Sequence, residues 1–335
     1  MHLNRRTLLG LALSAPVLRP LTSASAQDTG WTLLDDSSGP IARWDHVLLA
    51  DPASNRLFLF GGRDGNGTAL ADFWVYDLES AQWTELPGAP AARFGSAAST
   101  LLDGSGFLLF GGQADVFFND LWAFDFGTQA WTLLDDGATT APSPRYGLAG
   151  AFDADGRYIV SHGFTFDGRF DDTWAWGDAG GWVDISPAPE SRRLRRCLHE
   201  LQAIDGDHLI LYAGCSSGYG PCPQGDLWLF TPATDTWIEL SPAVVPAPRT
   251  NPALSVSGDS VLLVGGSTPD GPAADVWTGA FDGADFTWAP VDEASGVIPG
   301  RSSHDMAIID GTFYLFGGLG IDGALADLWQ YAPSE

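Results

Sequence analysis

The chain has 335 residues, 45% of them hydrophobic, with 41 glycines, 22 prolines, 42 acidic residues and 16 basic ones, for a net charge of −26. That length and apolar content suffice to bury a sizeable core, which excludes a disordered chain despite the charge. Every basic residue is arginine, and so acidic a surface repels phosphate, which excludes nucleic acid and anionic membranes as natural partners.

In chain order, residues 1–26 read as an export signal and 27–335 as one folded domain. Arg5-Arg6 precedes an apolar stretch that reaches Leu18 without an acidic residue, and Ala24-Ser25-Ala26 supplies small residues for cleavage. The apolar core is about a dozen residues, too short to span a bilayer. The arginine pair resembles a twin-arginine export signal, with Asn4 standing where Ser or Thr is usual; an ordinary secretory signal is the alternative. Either predicts an exported protein, periplasmic or extracellular, with no membrane span in its mature chain.

From residue 57 onward one unit recurs six times. Short apolar runs close on Gly61-Gly62, Gly111-Gly112, His162-Gly163, Ala213-Gly214, Gly265-Gly266 and Gly317-Gly318, the second glycines being 50, 51, 51, 52 and 52 residues apart. Each pair is followed by Asp, one residue, then Trp: Asp72/Trp74, Asp120/Trp122, Asp172/Trp174, Asp226/Trp228, Asp275/Trp277 and Asp327/Trp329. A second tryptophan follows in five copies, at Trp83, Trp131, Trp182, Trp237 and Trp288, and an arginine then precedes the next apolar run. Runs such as Leu57-Phe58-Leu59-Phe60, bounded by turn residues, predict buried strands. An excess of Asp over Glu, 35 to 7, suits turns better than helices.

These markers, in this register and at this period, resemble the kelch repeat, and the resemblance covers the whole chain after the signal. It implies an all-β fold: a six-bladed kelch-type β-propeller of four-stranded blades around a channel. The sixth copy ends without a second tryptophan or fourth strand. Trp31-Thr32-Leu33-Leu34-Asp35-Asp36 duplicates Trp131-Thr132-Leu133-Leu134-Asp135-Asp136, so the N-terminal strand is expected to complete blade six and close the ring.

The arginine loops and the glycine-pair loops should emerge on one face around the channel mouth, because the strands they join are antiparallel. On that face Arg43, Arg145, Arg196 and Arg301, with His46, His304 and Glu200, are candidates for binding a carboxylate-bearing ligand, since guanidinium grips carboxylate bidentately. The run Arg192, Arg193, Arg195, Arg196 adds to that positive mouth or pairs with some of the many carboxylates. The histidines equally suit structural hydrogen bonding. All three cysteines lie in blade four, and His162 replaces the first glycine of blade three. Three readings stay open for them: a disulfide, either Cys215–Cys222 or Cys197–Cys215; a copper or zinc site built from His162, Cys197, His199, Cys215 and Cys222; or a redox-active free thiol.

Three functions follow as expectations. The first is an exported binding module that holds a protein or glycan on the loop face. The second is an enzyme at the channel mouth. The family resemblance suggests sialic-acid mutarotation or metal-dependent oxidation, though the adjacent Tyr-His pair of a copper radical oxidase related to galactose oxidase is absent. The third is a metal or redox carrier acting through the blade-four cysteines.

Overall fold

The computed structural model describes residues 30–333 except Ala89, 178–180, Arg193 and Asp259; the stretch 1–26, expected to be an export signal, lies outside the described residues. Six four-stranded antiparallel sheets make the six blades expected from the repeat. The only helical turn among the described residues is a short 3-10 segment, Pro189–Ser191. The innermost strands are Val47–Asp51, Ala97–Thr100, Ala149–Phe152, Glu200–Ala203, Ala253–Ser257 and Asp305–Ile309, and each lies against its neighbours around the channel. Blade six is completed from the far end of the chain: Trp31–Asp35 pairs antiparallel with Gly323–Tyr331, Trp31 facing Tyr331.

The core sits in the seams between blades. Six buried clusters, one per seam, are built mostly from the second strand of one blade and its neighbour's. Second strands such as Leu57-Phe58-Leu59-Phe60 are buried on both faces, which is why they read as unbroken apolar runs rather than alternating ones. The second tryptophan of every copy fills the seam toward the preceding blade. Trp131, Trp182, Trp237, Trp288 and Trp83 take that place in five seams, and Trp31 takes it between blades five and six. Burying such large side chains supplies each seam with apolar area that no single blade holds alone.

The second glycine of each pair lets the end of the second strand approach the loop that enters the inner strand of the same blade. At Gly318, with φ +100°, a Cβ would lie 2.8 Å from both the Cβ of His304 and the carbonyl oxygen of Ser302. Only glycine tolerates that conformation and that contact together.

Candidate functional site

The candidate arginines are not free. Arg43 donates from Nη1 to Asp72 Oδ1 at 2.7 Å and from Nη2 to Asp72 Oδ2 at 2.6 Å, while Nη1 also reaches the Gly61 carbonyl and Nε the Ile41 carbonyl. Trp74 Nε1 donates to the same carboxylate at 2.7 Å. This Arg–Asp–Trp clamp recurs in every blade: Arg93 with Asp120, Arg145 with Asp172, Arg196 with Asp226, Arg249 with Asp275 and Arg301 with Asp327. All six arginines are fully buried or nearly so. Burial pushes Asp72, Asp172, Asp226, Asp275 and Asp327 upward, but the arginine hydrogen bonds and charge, with the tryptophan N–H, more than offset it and hold these carboxyls below the usual range. Arg43, Arg145, Arg196 and Arg301 therefore offer no guanidinium to a ligand, correcting the expectation from sequence. A buried cation has to be paired, and the Asp two residues before each tryptophan pairs it.

His46, His199 and His304 line the wall of the channel mouth, nearly buried. His46 sets its Cβ against Gly62 of its own blade and its ring against Gly317 of blade six; His304 likewise joins Gly318 to Gly265. Burial and the adjacent arginines push His46 and His199 down to about 3, and His304 well below its ordinary value, so all three are neutral. Where blade three has His162 instead of glycine, the His162 and His199 rings meet edge to face with centroids 5.3 Å apart.

A feature that sequence reading missed closes the mouth. Two residues after each clamp arginine stands a residue of positive φ: Asp45, Gly95, Gly147, Leu198, Asn251 and Ser303. Each donates its N–H to the carbonyl of its counterpart in the preceding blade, at 2.7–3.0 Å, so a closed ring of backbone hydrogen bonds ties all six blades together. Glycine in two copies and Asp or Asn in two others was the available signal, since these residues populate left-handed backbone most readily. Inside the ring, Glu200 and Asp305 face the channel mouth with Gln202. Burial, and then the charge of Asp305, pushes Glu200 well above the carboxylate range, and burial pushes Asp305 up to about 6. Asp45 is raised by burial, with Arg63 at 2.6 Å and Ser303 opposing the rise.

The blade-four cysteines are divided. Cys215 and Cys222 form a disulfide, and Cys197 is a buried free thiol. The left-handed turn at Leu198 breaks strand alternation, so Cys197 faces Cys215 while His199 packs with His162. The copper or zinc site expected from His162, Cys197, His199, Cys215 and Cys222 does not assemble: two thiolates are spent in the disulfide, and among the described residues no three His, Cys, Asp or Glu gather as ligands. In the arginine run, Arg192 and Arg195 both pair with Asp171, and Arg193 lies outside the described residues.

The loop face carries instead a band of aromatic side chains with arginines between them. Arg63, the residue after the first glycine pair, lies 5.1 Å from the Trp44 ring and 4.5 Å from Phe94. Phe94 meets Tyr146, Tyr146 meets Phe117 and Phe164, and Phe117 meets Phe166, which is 79% exposed. Arg169 stacks on Phe164 at 5.3 Å and donates to the Ser217 carbonyl in blade four. Arg195 continues the band over Tyr219.

Comparison with known proteins agrees with the architecture. Residues 19–187 and 178–335 match the KLHDC2/KLHL20/DRC7 Kelch-repeats domain. Kelch domain-containing protein 3 of Homo sapiens is 28% identical over 69% of this chain and 62% of its own length, so the chain spans about three fifths of that relative. F-box/kelch-repeat protein At1g51550 of Arabidopsis thaliana is 28% identical over 87% of this chain and 69% of its own length. Multiple epidermal growth factor-like domains protein 8 of Homo sapiens is 25% identical over 93% of the chain and 12% of its own length. The repeat, the ring of six blades and these matches place the chain in the kelch-repeat family.

Proposed function

We propose that the chain is a binding module that seats a carboxylate-bearing protein ligand on its loop face, over blades one to four. The carrying observation is the band of Trp44, Tyr146 and Phe166 with Arg169, which meets no carboxylate among the described residues, and with Arg63 and Arg195, whose single carboxylate partners Asp45 and Asp171 leave them partly exposed, on a chain of net charge −26. Arginine and aromatic residues are the types that concentrate at protein interfaces, where they combine large contact area with planar recognition of carboxylate. Kelch-repeat domains are generally interaction modules, which agrees with this use. A glycan is the other ligand class that a face of stacked aromatics suits.

The test is selection from a peptide library on the folded protein, followed by titration calorimetry of the enriched peptides. Enrichment of acidic sequences is expected, with binding that weakens as salt rises and falls at least tenfold in Phe166→Ser and Arg63→Gln. Binding indifferent to both substitutions refutes this face as the site. Affinity for sialylated oligosaccharides without peptide enrichment moves the ligand class to glycan.

A second reading, acid–base catalysis at the channel mouth, rests on Glu200 beside Asp305. It lacks the carboxylate grip a sialic acid would need, since the clamp arginines are consumed internally. Proton-exchange NMR of N-acetylneuraminic acid anomers with wild type and Glu200→Gln tests it: equal rates discard it. Export to the periplasm or beyond is part of the proposal, supported by Arg5-Arg6 and Ala24-Ser25-Ala26. A fusion of residues 1–30 to a reporter that is active only after export tests it.

A further inference from the structure

Blade four holds a thiol beside a disulfide, and the binding proposal makes no use of either. Cys197 and Cys215 are direct cross-strand partners: Cys197 N–H donates to the Cys215 carbonyl at 3.1 Å, and Cys215 N–H donates back at 2.9 Å. Residues paired in this way have Cα atoms about 5.5 Å apart, within the span that a disulfide bridges. Cys215 is at present bonded to Cys222 across a short loop. The two ends of that bond differ, for Cys215 is buried and Cys222 exposed. Arg169, from the blade-three hairpin, places Nη2 3.3 Å from Cys215 Sγ and Nη1 2.7 Å from the Ser217 carbonyl, so a guanidinium stands over the bond and the loop it closes. Its charge also reaches Cys197, opposing the upward push of burial on that thiol.

We propose that Cys197, Cys215 and Cys222 form a thiol–disulfide exchange site in which Cys197 takes Cys215 from Cys222 and frees Cys222 at the rim of the loop face. The Cys197 thiolate sulfur bonds to Cys215 Sγ as the Cys215–Cys222 bond breaks. Cys222 leaves as thiolate and takes up the proton that Cys197 gave up. One disulfide and one thiol are present before and after, so no oxidant or reductant is required. Arg169 supplies positive charge that favours the attacking Cys197 thiolate over its thiol. In the new pairing the staple joins two neighbouring loops of the sheet end, and the segment carrying Ser217 and Tyr219 is released from its closed turn beside Arg169 and Arg195. The exchange thus changes the rim at the border of blades three and four without changing the net redox state of the protein. It stands independently of the ligand proposed above.

Alkylation of the folded protein with excess iodoacetamide at pH 8, followed by non-reducing peptide mass spectrometry, tests the site. The expected product carries its label on Cys222 and a disulfide between Cys197 and Cys215, because the freed Cys222 is exposed and trapped while Cys197 is buried. In Arg169→Gln the labelling rate should fall severalfold, because the charge that opposes the burial of the Cys197 thiol is gone. Cys222→Ser gives a second, independent reading: mild oxidation should leave it with no free thiol, circular dichroism reporting that it is folded. A label on Cys197 with Cys215–Cys222 intact overturns the proposal. So does a folded protein that takes no label while its urea-unfolded control takes one, or a folded Cys222→Ser that keeps two free thiols.

Discussion

Asp327→Asn removes the charge from one clamp and leaves Arg301, fully buried, with a neutral partner. Asparagine still accepts one hydrogen bond, but the bidentate pair at 2.8 and 2.8 Å is lost, and the amide N–H₂ faces either the guanidinium or Trp329 Nε1. Breaking a buried ion pair from one side costs about 3–5 kcal/mol. The Asp275 clamp in blade five has the same two distances, but its carboxylate is 34% exposed against 16% for Asp327. Water screens it more, so Asp275→Asn should cost less, about 2–3 kcal/mol. With an unfolding entropy of about 2.1 cal/mol/K per residue over roughly 300 residues, 4 kcal/mol lowers Tm by about 6 °C. Urea unfolding at pH 6 and thermal melts of both variants supply the comparison. The folded carboxyl of Asp327 lies below its unfolded value, so its contribution is present above the ordinary carboxylate range and is lost as pH falls through the folded value. Wild type and Asp327→Asn should therefore converge in acid. Losses under about 1 kcal/mol in both variants, or a larger loss at Asp275 than at Asp327, would refute the account of the arginines as internally paired clamps.

Two further outcomes follow from the channel and the glycine pairs. Glu200 is raised, so the native state holds a proton that the unfolded chain has released, and stability falls as pH climbs from the unfolded value through the folded one. Glu200→Gln should match wild type near pH 4 and exceed it at pH 8, flattening the dependence; a variant less stable at pH 8 rejects the reasoning. Asp305, raised to about 6, leaves a residual slope of the same sign. Gly318→Ala forces a Cβ to 2.8 Å from the Cβ of His304 at φ +100° and should cost about 2–4 kcal/mol by urea unfolding. Gly206→Ala, with open space around it, should stay within about 0.5 kcal/mol of wild type.

Much of this protein could be read from local spacing. Glycines recurring every 50 to 52 residues, with tryptophans 48 to 55 apart in step with them, marked the blades, and the duplicate of Trp131-Thr132-Leu133-Leu134 at Trp31 marked the closing strand. The same spacing marked the clamp arginines but left their role open, because a periodic arginine looks alike whether it faces solvent or a buried aspartate 26 to 30 residues on. The ring of left-handed residues was less legible still, since Leu198 occupies a position that Gly, Asp, Asn and Ser fill elsewhere. That one turn sent Cys197 and His199 to different neighbours and removed the expected metal ligands from one another's reach. The aromatic band was half legible: Trp44, Phe94 and Tyr146 each follow a clamp arginine, but the same position holds Cys197, Thr250 and Ser302 in the other blades, and the stacking of Arg63 and Arg169 on these rings shows only in the fold.

What the sequence determined alone, then, is whatever repeats: strand, turn and glycine contact follow from a local pattern that recurs in each blade, and the duplicated strand at Trp31 marks the one ring closure. Tertiary structure alone decided the pairing of charges, the choice of Cys215–Cys222 over Cys197–Cys215, and which side chains share the exposed face. The physical reason is that burial and partner identity depend on segments distant in the chain. A guanidinium at this repeat position is an internal strut because an aspartate 26 to 30 residues on meets it, and only the fold brings the two together.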